Sequence, residues 1–476
     1  MHRRTLLALA AILHFPGAFA QGPEPQKENH SEEENYDLIV IGSGAAGLCS
    51  AITAKQNGLK RVLLLEKAKF IGGHSIISEG TANFLLPTDP PDVRNQWIKR
   101  TLETGGYQAN RKMVETFVDR STEVFYWLMS LGIHWKMNRF IAVTGELGIS
   151  TNDGTERSGA NCIRSLVNAA RKEGVEIKLD TEVVKILLSP VGTVTGVLAK
   201  SKGQKKQFNA KAVVIATGGF TANVGMRMRY DSRMDSNFST TSNPFGVDFD
   251  GSTGDGILMA ESLGAQLVDM KHLELIPLNG GRVLNYVGGD IYVDSSGSRF
   301  VDESAKVSII EEKYLNLPDH TMWVITDSQS EKNSSFEGKL ISGVIQRADT
   351  IDEMARKMNI SAITLANTLD RYNDFVEKGF DSDFGKKVFT QKINKPPYYF
   401  GRERFDIHTS LGGILTDTRA RVIGKDDRPI QGLYAAGETV GGIEGSARQG
   451  GNALTIAFVF GRISGEEATK YIENLR

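Results

Sequence analysis

The chain has 476 residues, 56 Lys+Arg against 57 Asp+Glu, a formal net charge of -1, 50 Gly and 2 Cys. This is a globular composition, long enough for a sizeable core and about three units at roughly 150 residues each. Without a basic excess there is no electrostatic case for nucleic-acid or anionic-membrane binding. Cys49 and Cys162 alone cannot supply a disulfide framework, a Cys-rich zinc site or the C-x-x-C-H attachment of a haem.

The amino terminus reads as an export signal. Arg3 and Arg4 precede the apolar run Leu6–Leu13 and then Ala18-Phe19-Ala20, the layout of a signal peptide over residues 1–20 that is cleaved on secretion to the periplasm. The paired arginines also suit a twin-arginine route. The run is shorter than the ~20 apolar residues that span a bilayer, and no later stretch approaches that length, so no stable membrane insertion is expected. Residues 21–35 are polar and acidic and are expected to form a flexible leader.

Tyr36–Ile41 is a β-branched strand leading directly into Gly42-Ser43-Gly44-Ala45-Ala46-Gly47, and the pattern after it predicts a helix over Leu48–Asn57. This is G-x-G-x-x-G between a strand and a helix, the phosphate-binding turn of a Rossmann-like α/β fold. Gly42 permits the tight turn, Gly44 lets backbone approach a pyrophosphate, and Gly47 lets helix and strand pack closely. A second strand, Arg61–Leu65, ends in Glu66, whose carboxylate can accept from both ribose hydroxyls. That acid favours an unphosphorylated ribose, hence FAD or NAD rather than NADP.

Later segments favour FAD. Gly72-Gly73-His74-Ser75 and Ser78-Glu79-Gly80-Thr81 add backbone donors close behind Glu66. The strand Val175–Leu179 runs into Thr181-Glu182-Val183, Ala212–Ala216 ends in Thr217-Gly218-Gly219, and Gly432–Ala436 delivers Gly437-Glu438. Lys67, Asp255, Ala453 and Leu454 complete the expected cofactor contacts. With only one dinucleotide fingerprint, a separate pyridine-nucleotide domain is not expected. His74, His134 and His272 form no metal-ligand spacing, so no metal site is read.

From Tyr36 to Gly465 the order of blocks resembles the fumarate reductase and succinate dehydrogenase flavoprotein superfamily, especially its soluble exported branch. The resemblance rests on the turn at 42–47, Gly72-Gly73-His74-Ser75, Ala216-Thr217-Gly218-Gly219-Phe220, Thr253-Gly254-Asp255-Gly256, Gly297-Ser298-Arg299-Phe300-Val301-Asp302-Glu303, His408-Thr409-Ser410-Leu411-Gly412-Gly413 and Arg448-Gln449-Gly450-Gly451-Asn452. It implies non-covalent FAD in a Rossmann-like domain interrupted by an α+β cap, with 36–265 and 408–476 as the FAD-binding parts and 266–407 as the cap. It also implies reduction of activated C=C bonds in fumarate-, urocanate- or acrylate-type acids.

By that resemblance His408 holds a substrate carboxylate and Arg448 grips one over the flavin ring. Independently of family, hydride transfer from flavin N5 to an alkene carbon develops enolate charge on the adjacent carboxylate, and a fixed guanidinium aimed there favours the transition state. An ion pair of Arg448 with Glu444 or Glu438 is the structural alternative. The sequence departs from the resemblance on the cap side. The family's proton-donating arginine, eight residues past Arg299, falls on Val307, its relay acid and arginine fall near Val283 and Tyr286, and its His-Pro pair is Ile276-Pro277. Lys306, Tyr286 and Arg282 are then the candidate proton donors, and the lost polar groups argue for a monocarboxylate with a less polar remainder rather than fumarate itself.

With no haem or iron–sulfur ligation in the sequence, the electron donor is expected to be a separate protein, a c-type cytochrome. Two other readings stay open: a dehydrogenase of a carboxylic acid or 3-ketosteroid passing electrons to an external acceptor, and a non-catalytic flavin-binding protein.

Overall fold

The computed structural model describes residues 34–135, 138–141, 147–150, 158–242, 251–277 and 280–475. The expected signal peptide over 1–20 and the leader up to residue 33 lie outside the described residues.

The strand Asn35–Ile41 is buried from Tyr36 onward, as a near-continuous apolar run in a parallel sheet should be. It lies inside a sheet whose order is Arg421–Ile423, Pro429–Ala435, Gln204–Ile215, Asn35–Ile41, Val62–Leu65, Glu176–Lys178. All neighbours are parallel except the edge strand Arg421–Ile423. Register places Ile41 opposite both Leu65 and Ile215, Ile215 opposite Ala435, and Leu65 opposite Lys178. Five carboxyl ends therefore finish level, and the chain leaves them at Gly42, Glu66, Leu179, Ala216 and Ala436. In an open α/β sheet, the crevice beyond such ends is where a ligand sits.

Two helices cover one another above this sheet. The helix Ala45–Gln56 begins three residues before the expected Leu48, because extended Gly44 is its N-cap. The helix Asn452–Glu473 is buried along most of its length, and its glycines let the two axes approach: a Cβ at Gly461 would lie 2.5 Å from the Ala46 carbonyl oxygen, and one at Gly465 2.4 Å from that of Ser50. The strand expected at Ala212–Ala216 extends back to Gln204 because it also forms a hairpin with Val194–Ser201.

A second, antiparallel sheet runs Ile291–Val293, Met322–Thr326, Tyr398–Glu403, Gln346–Ala348. Its alternation is legible: Ile291, Val293, Trp323 and Ile325 enter a separate core with the helices Ile351–Met358 and Ala362–Lys378, while Tyr292, Met322 and Val324 join the main core. Thr350 and Ser361 cap those two helices, accepting from Glu353 N–H and Thr364 N–H. Entry and exit of this segment are paired, Leu273–Ile276 with Asp406–Ser410 and Leu267–Val268 with Gly413–Ile414. The expected division between 407 and 408 thus cuts through a single strand. The fold is α/β, with a Rossmann-like parallel sheet interrupted in sequence by an α+β unit.

Candidate active site

The level strand ends open on a cavity of about 1080 Å³. Gly42, at φ 103°, turns the chain there, and a Cβ on it would lie 2.2 Å from the Ala216 carbonyl oxygen, so the turn accepts only glycine. The helix Ala45–Gln56 has no acidic residue in its first turn and no cap from the Gly44 side; its Ala45 N–H donates to Ser75 Oγ at 3.2 Å, and its positive dipole end faces the cavity. The helix Asn452–Glu473 also starts at the cavity wall, on Gly451 in the left-handed region and again without an acid in its first turn. Lys67 reaches Asp255 at 2.6 Å on the cavity wall. The buried Thr217 hydroxyl, also on a residue lining the cavity, has no hydrogen-bond partner among the described residues. Two helix starts, a glycine turn and an orphaned hydroxyl along one long cavity fit an extended dinucleotide such as FAD.

Glu66 lines the cavity and is already engaged. Its Oε2 accepts from Ser43 N–H at 3.0 Å and Ser43 Oγ at 2.6 Å, and its Oε1 accepts from Ala68 N–H at 2.8 Å. The carboxylate therefore stiffens the turn, while Oε1 keeps a lone pair for a ribose hydroxyl.

Arg448 sits on the loop that enters the helix Asn452–Glu473, with its side chain 15% exposed. Its Nε donates to Glu274 Oε2 at 2.7 Å, from the strand Leu273–Ile276. Among the described residues this is the guanidinium's only hydrogen bond, so both terminal nitrogens stay uncommitted at the cavity. The ion pair considered from sequence, with Glu444 or Glu438, is replaced by one with Glu274. The loop itself is fixed by a buried polar lattice. Asn83 Nδ2 donates to Gly450 O at 2.7 Å and Asn452 Oδ1 at 3.0 Å, Trp97 Nε1 donates to Asn452 Oδ1 at 2.9 Å, and Thr101 Oγ1 donates to Gln449 Oε1 at 3.0 Å.

The electrostatics around Arg448 are acidic. Burial alone would lower the guanidinium's pKa, but Glu274 and Glu444 outweigh it and hold it above the usual arginine value. His408, with Nδ1 2.6 Å from Thr241 Oγ1, is pushed down to about 3 by burial, with Arg448 and His74 adding to the effect; its imidazole is neutral at pH 7. Burial raises Glu438, but His74, at 3.6 Å, and the Ser410 N–H and Thr409 hydroxyl hydrogen bonds outweigh it and hold it below the usual carboxylate range. Glu444 goes the other way: burial, with Glu274 and Glu438 nearby, pushes it up to about 8 against the pull of Arg448. Glu311, on the helix Val307–Leu315, is likewise raised to about 8 by burial and by Glu274.

Of the residues singled out from sequence, Gly42, Gly44, Ala45, Ala46, Glu66, Lys67, Gly73, His74, Ser75, Gly80, Thr81, Val183, Thr217, Gly218, Asp255, His408, Glu438, Arg448, Ala453 and Leu454 all line the one cavity. Gly47 does not; a Cβ on it would lie 2.0 Å from the Gly42 carbonyl oxygen, so it closes the helix onto the turn. The three proposed proton donors are not brought to the cavity. Lys306 is exposed at the N-cap of the helix Val307–Leu315. Tyr286 packs on the small cluster Val283, Leu284 and Ile345 and accepts from Glu331 N–H. Arg282 lies 3.5 Å from buried Asp290 and donates to the Tyr286 carbonyl. Burial in structural contacts, or exposure, therefore separates all three from the site. Sequence reasoning missed Glu274, Thr241, Asn83 and Glu311. Of these only Asn83 has a sequence signal, a polar residue inside the otherwise apolar run Ala82–Leu86.

Comparison with known proteins agrees with this geometry. The family of FAD binding domains matches residues 37–454. The NADH:fumarate oxidoreductase of Klebsiella pneumoniae (strain 342) is 32% identical over 462 residues, covering 93% of this chain, which spans 48% of that protein's length. The urocanate reductase of Eggerthella lenta is 30% identical over 459 residues, covering 91% of this chain and 74% of the relative. The solved open conformation of a flavocytochrome c3 fumarate reductase superposes with a TM-score of 0.78 at 30% identity, covering 92% of this chain and 79% of the other. The family match over residues 37–454, with relatives of 30% identity or more along most of the chain, agrees with a parallel sheet ending level on a glycine turn and places this chain in the FAD binding domain family, among the fumarate reductase flavoproteins.

Proposed function

We propose that this protein is an FAD-dependent reductase of the C=C bond of an α,β-unsaturated carboxylate. The observation that carries the reading is Arg448, largely buried at the cavity with both terminal guanidinium nitrogens uncommitted among the described residues. Bound FAD supplies the hydride. The turn at Gly42–Gly47 and the two helix starts would hold its phosphates, and Glu66 its ribose. Arg448 presents the planar fork that a carboxylate takes bidentately and stabilises charge as it grows on that carboxylate during reduction. Neutral His408, held by Thr241, offers a hydrogen bond without adding charge. The α+β unit between the two FAD-binding segments serves as a cap that supplies the proton and excludes water.

The residue pattern at 1–20 supports export to the periplasm. The electron donor in this reading is a separate protein, a c-type cytochrome. The test is anaerobic reoxidation of dithionite-reduced flavin by a panel of enoates, beside dye reduction by saturated acids. Arg448→Lys keeps the charge but loses the fork, and is expected to lower kcat/KM by about 10²-fold or more. Unchanged kinetics in that variant would remove the role assigned to Arg448.

A further inference from the structure

The loop that carries Arg448 also carries a carboxyl with no partner. Glu444 lines the cavity, its Oε1 is sealed from solvent without a hydrogen bond, and among the described residues neither of its oxygens accepts one. Around it stand Arg448, Glu274 and Glu438. Arg448 is already paired with Glu274, and Glu438 is occupied by Ser410 and His74. A carboxyl left unsatisfied in a low-dielectric cavity is unfavourable until something donates to it, and among the described residues no side chain does so.

The charge count in the cavity sharpens the point. Among the described residues lining it, the lysine and arginine side chains are Lys67 and Arg448, and Lys67 is held by Asp255. A ligand bearing two carboxylates would place its second one near Glu274, Glu438 and Glu444, with no free lysine or arginine among the described lining residues to receive it. A ligand bearing one carboxylate and one hydrogen-bond donor meets a guanidinium edge and an unpartnered acceptor.

We propose that Glu444 is the specificity-determining acid of this cavity, accepting a hydrogen bond from an N–H or O–H group carried by the substrate. The favoured substrates are then unsaturated monocarboxylates bearing an azole, phenol or ammonium group, and dicarboxylates are poor ones. This rests on the reductase reading above and narrows it. A buried acceptor rejects an analogue that lacks the donor, because the acceptor is then left unpaired. A second carboxylate in the same place would meet Glu438, which is held in its ionised form, and is rejected by repulsion.

The experiment compares matched substrates on the FAD-loaded full chain: 4-hydroxycinnamate against cinnamate for one O–H, urocanate for an N–H, and fumarate for a second carboxylate. The expected result is a kcat/KM at least about tenfold higher for the donor-bearing acids than for cinnamate, with fumarate at least about tenfold below cinnamate. Glu444→Leu removes the acceptor and is expected to bring the 4-hydroxycinnamate to cinnamate ratio to about one. Glu444→Gln keeps shape and a carbonyl acceptor, and is expected to keep part of that ratio; it decides the matter if the leucine variant loses FAD. Ratios that are the same in wild type and both variants, or fumarate as the best substrate, would overturn the proposal while leaving the reductase reading intact. Failure of every acid to reoxidise the reduced flavin would overturn both.

Discussion

Two side chains that both feel the Arg448 guanidinium are driven in opposite directions. His408, pushed down to about 3 from an ordinary 6.5, contributes stability that is present above 6.5 and lost as pH falls through 3. Glu444, raised from 4.5 to about 8, contributes stability that is complete below 4.5 and lost as pH rises through 8, because the unfolded chain releases the proton that the folded one retains. Glu444→Gln should therefore unfold with a free energy that gains on wild type by at least about 1 kcal/mol between about pH 6 and pH 9, read from urea melts at both. Parallel pH dependence in the two proteins would show that Glu444 titrates normally. The difference between these residues was invisible in sequence. His408 is announced by H-T-S-L-G-G, whereas Glu444 sits in Ile443-Glu444-Gly445 with nothing to show that both its oxygens would go without a partner. Glu274 is harder still: in Leu273-Glu274-Leu275 it has the spacing of a solvent-facing strand position, and its partner Arg448 is 174 residues away.

At the scale of elements, local chemistry was the legible part. The strand, glycine turn, helix and acid from Tyr36 to Glu66 are dictated by near neighbours, so their placement followed from the residues alone. The helix contact that fixes the roof of the cavity is not local. Gly461 reads as an ordinary helix-weakening residue until the Ala46 backbone is found against it, 2.5 Å from where a Cβ would stand. Gly461→Val should cost about 1–3 kcal/mol of stability by overpacking and lower FAD retention, since the displaced helix begins at the cavity. Retained stability, measured by denaturant unfolding with FAD content followed in parallel, would mean that the two helices tolerate a wider spacing. The placement of Lys306, Tyr286 and Arg282 away from the cavity lining was hidden for a related reason. A sequence offset such as Arg299 to Lys306 gives position along the chain but not which face of the following helix meets the cavity.

For the whole molecule, the cavity is walled by segments from Ile41 to Ala457, so a ligand lying along it ties together parts of the chain that the unfolded state leaves far apart. Binding only to the native state, FAD at a hundredfold excess over its Kd should add about 2.7 kcal/mol. Deflavinated protein should melt lower and recover on titration with FAD; identical melting of the two forms would show that the cofactor sits elsewhere or binds the unfolded chain as well. The overall architecture was readable because the family motifs are spread along nearly the whole chain. The connection between its two sheets was not, because Leu273–Ile276 and Asp406–Ser410 pair across a long intervening stretch of chain and no local pattern announces the partner.

The pairing of Arg448 with Glu274 has an outcome for the crowded solution outside. A naked guanidinium would collect chloride, phosphate or acetate, any of which would compete with the true ligand. With one of its edges permanently neutralised from within, the arginine exerts only a weak pull on simple ions, and occupancy falls to molecules that also fit the remaining contours of the pocket. Turnover should consequently tolerate ordinary salts, and discrimination would begin before any bond is reduced.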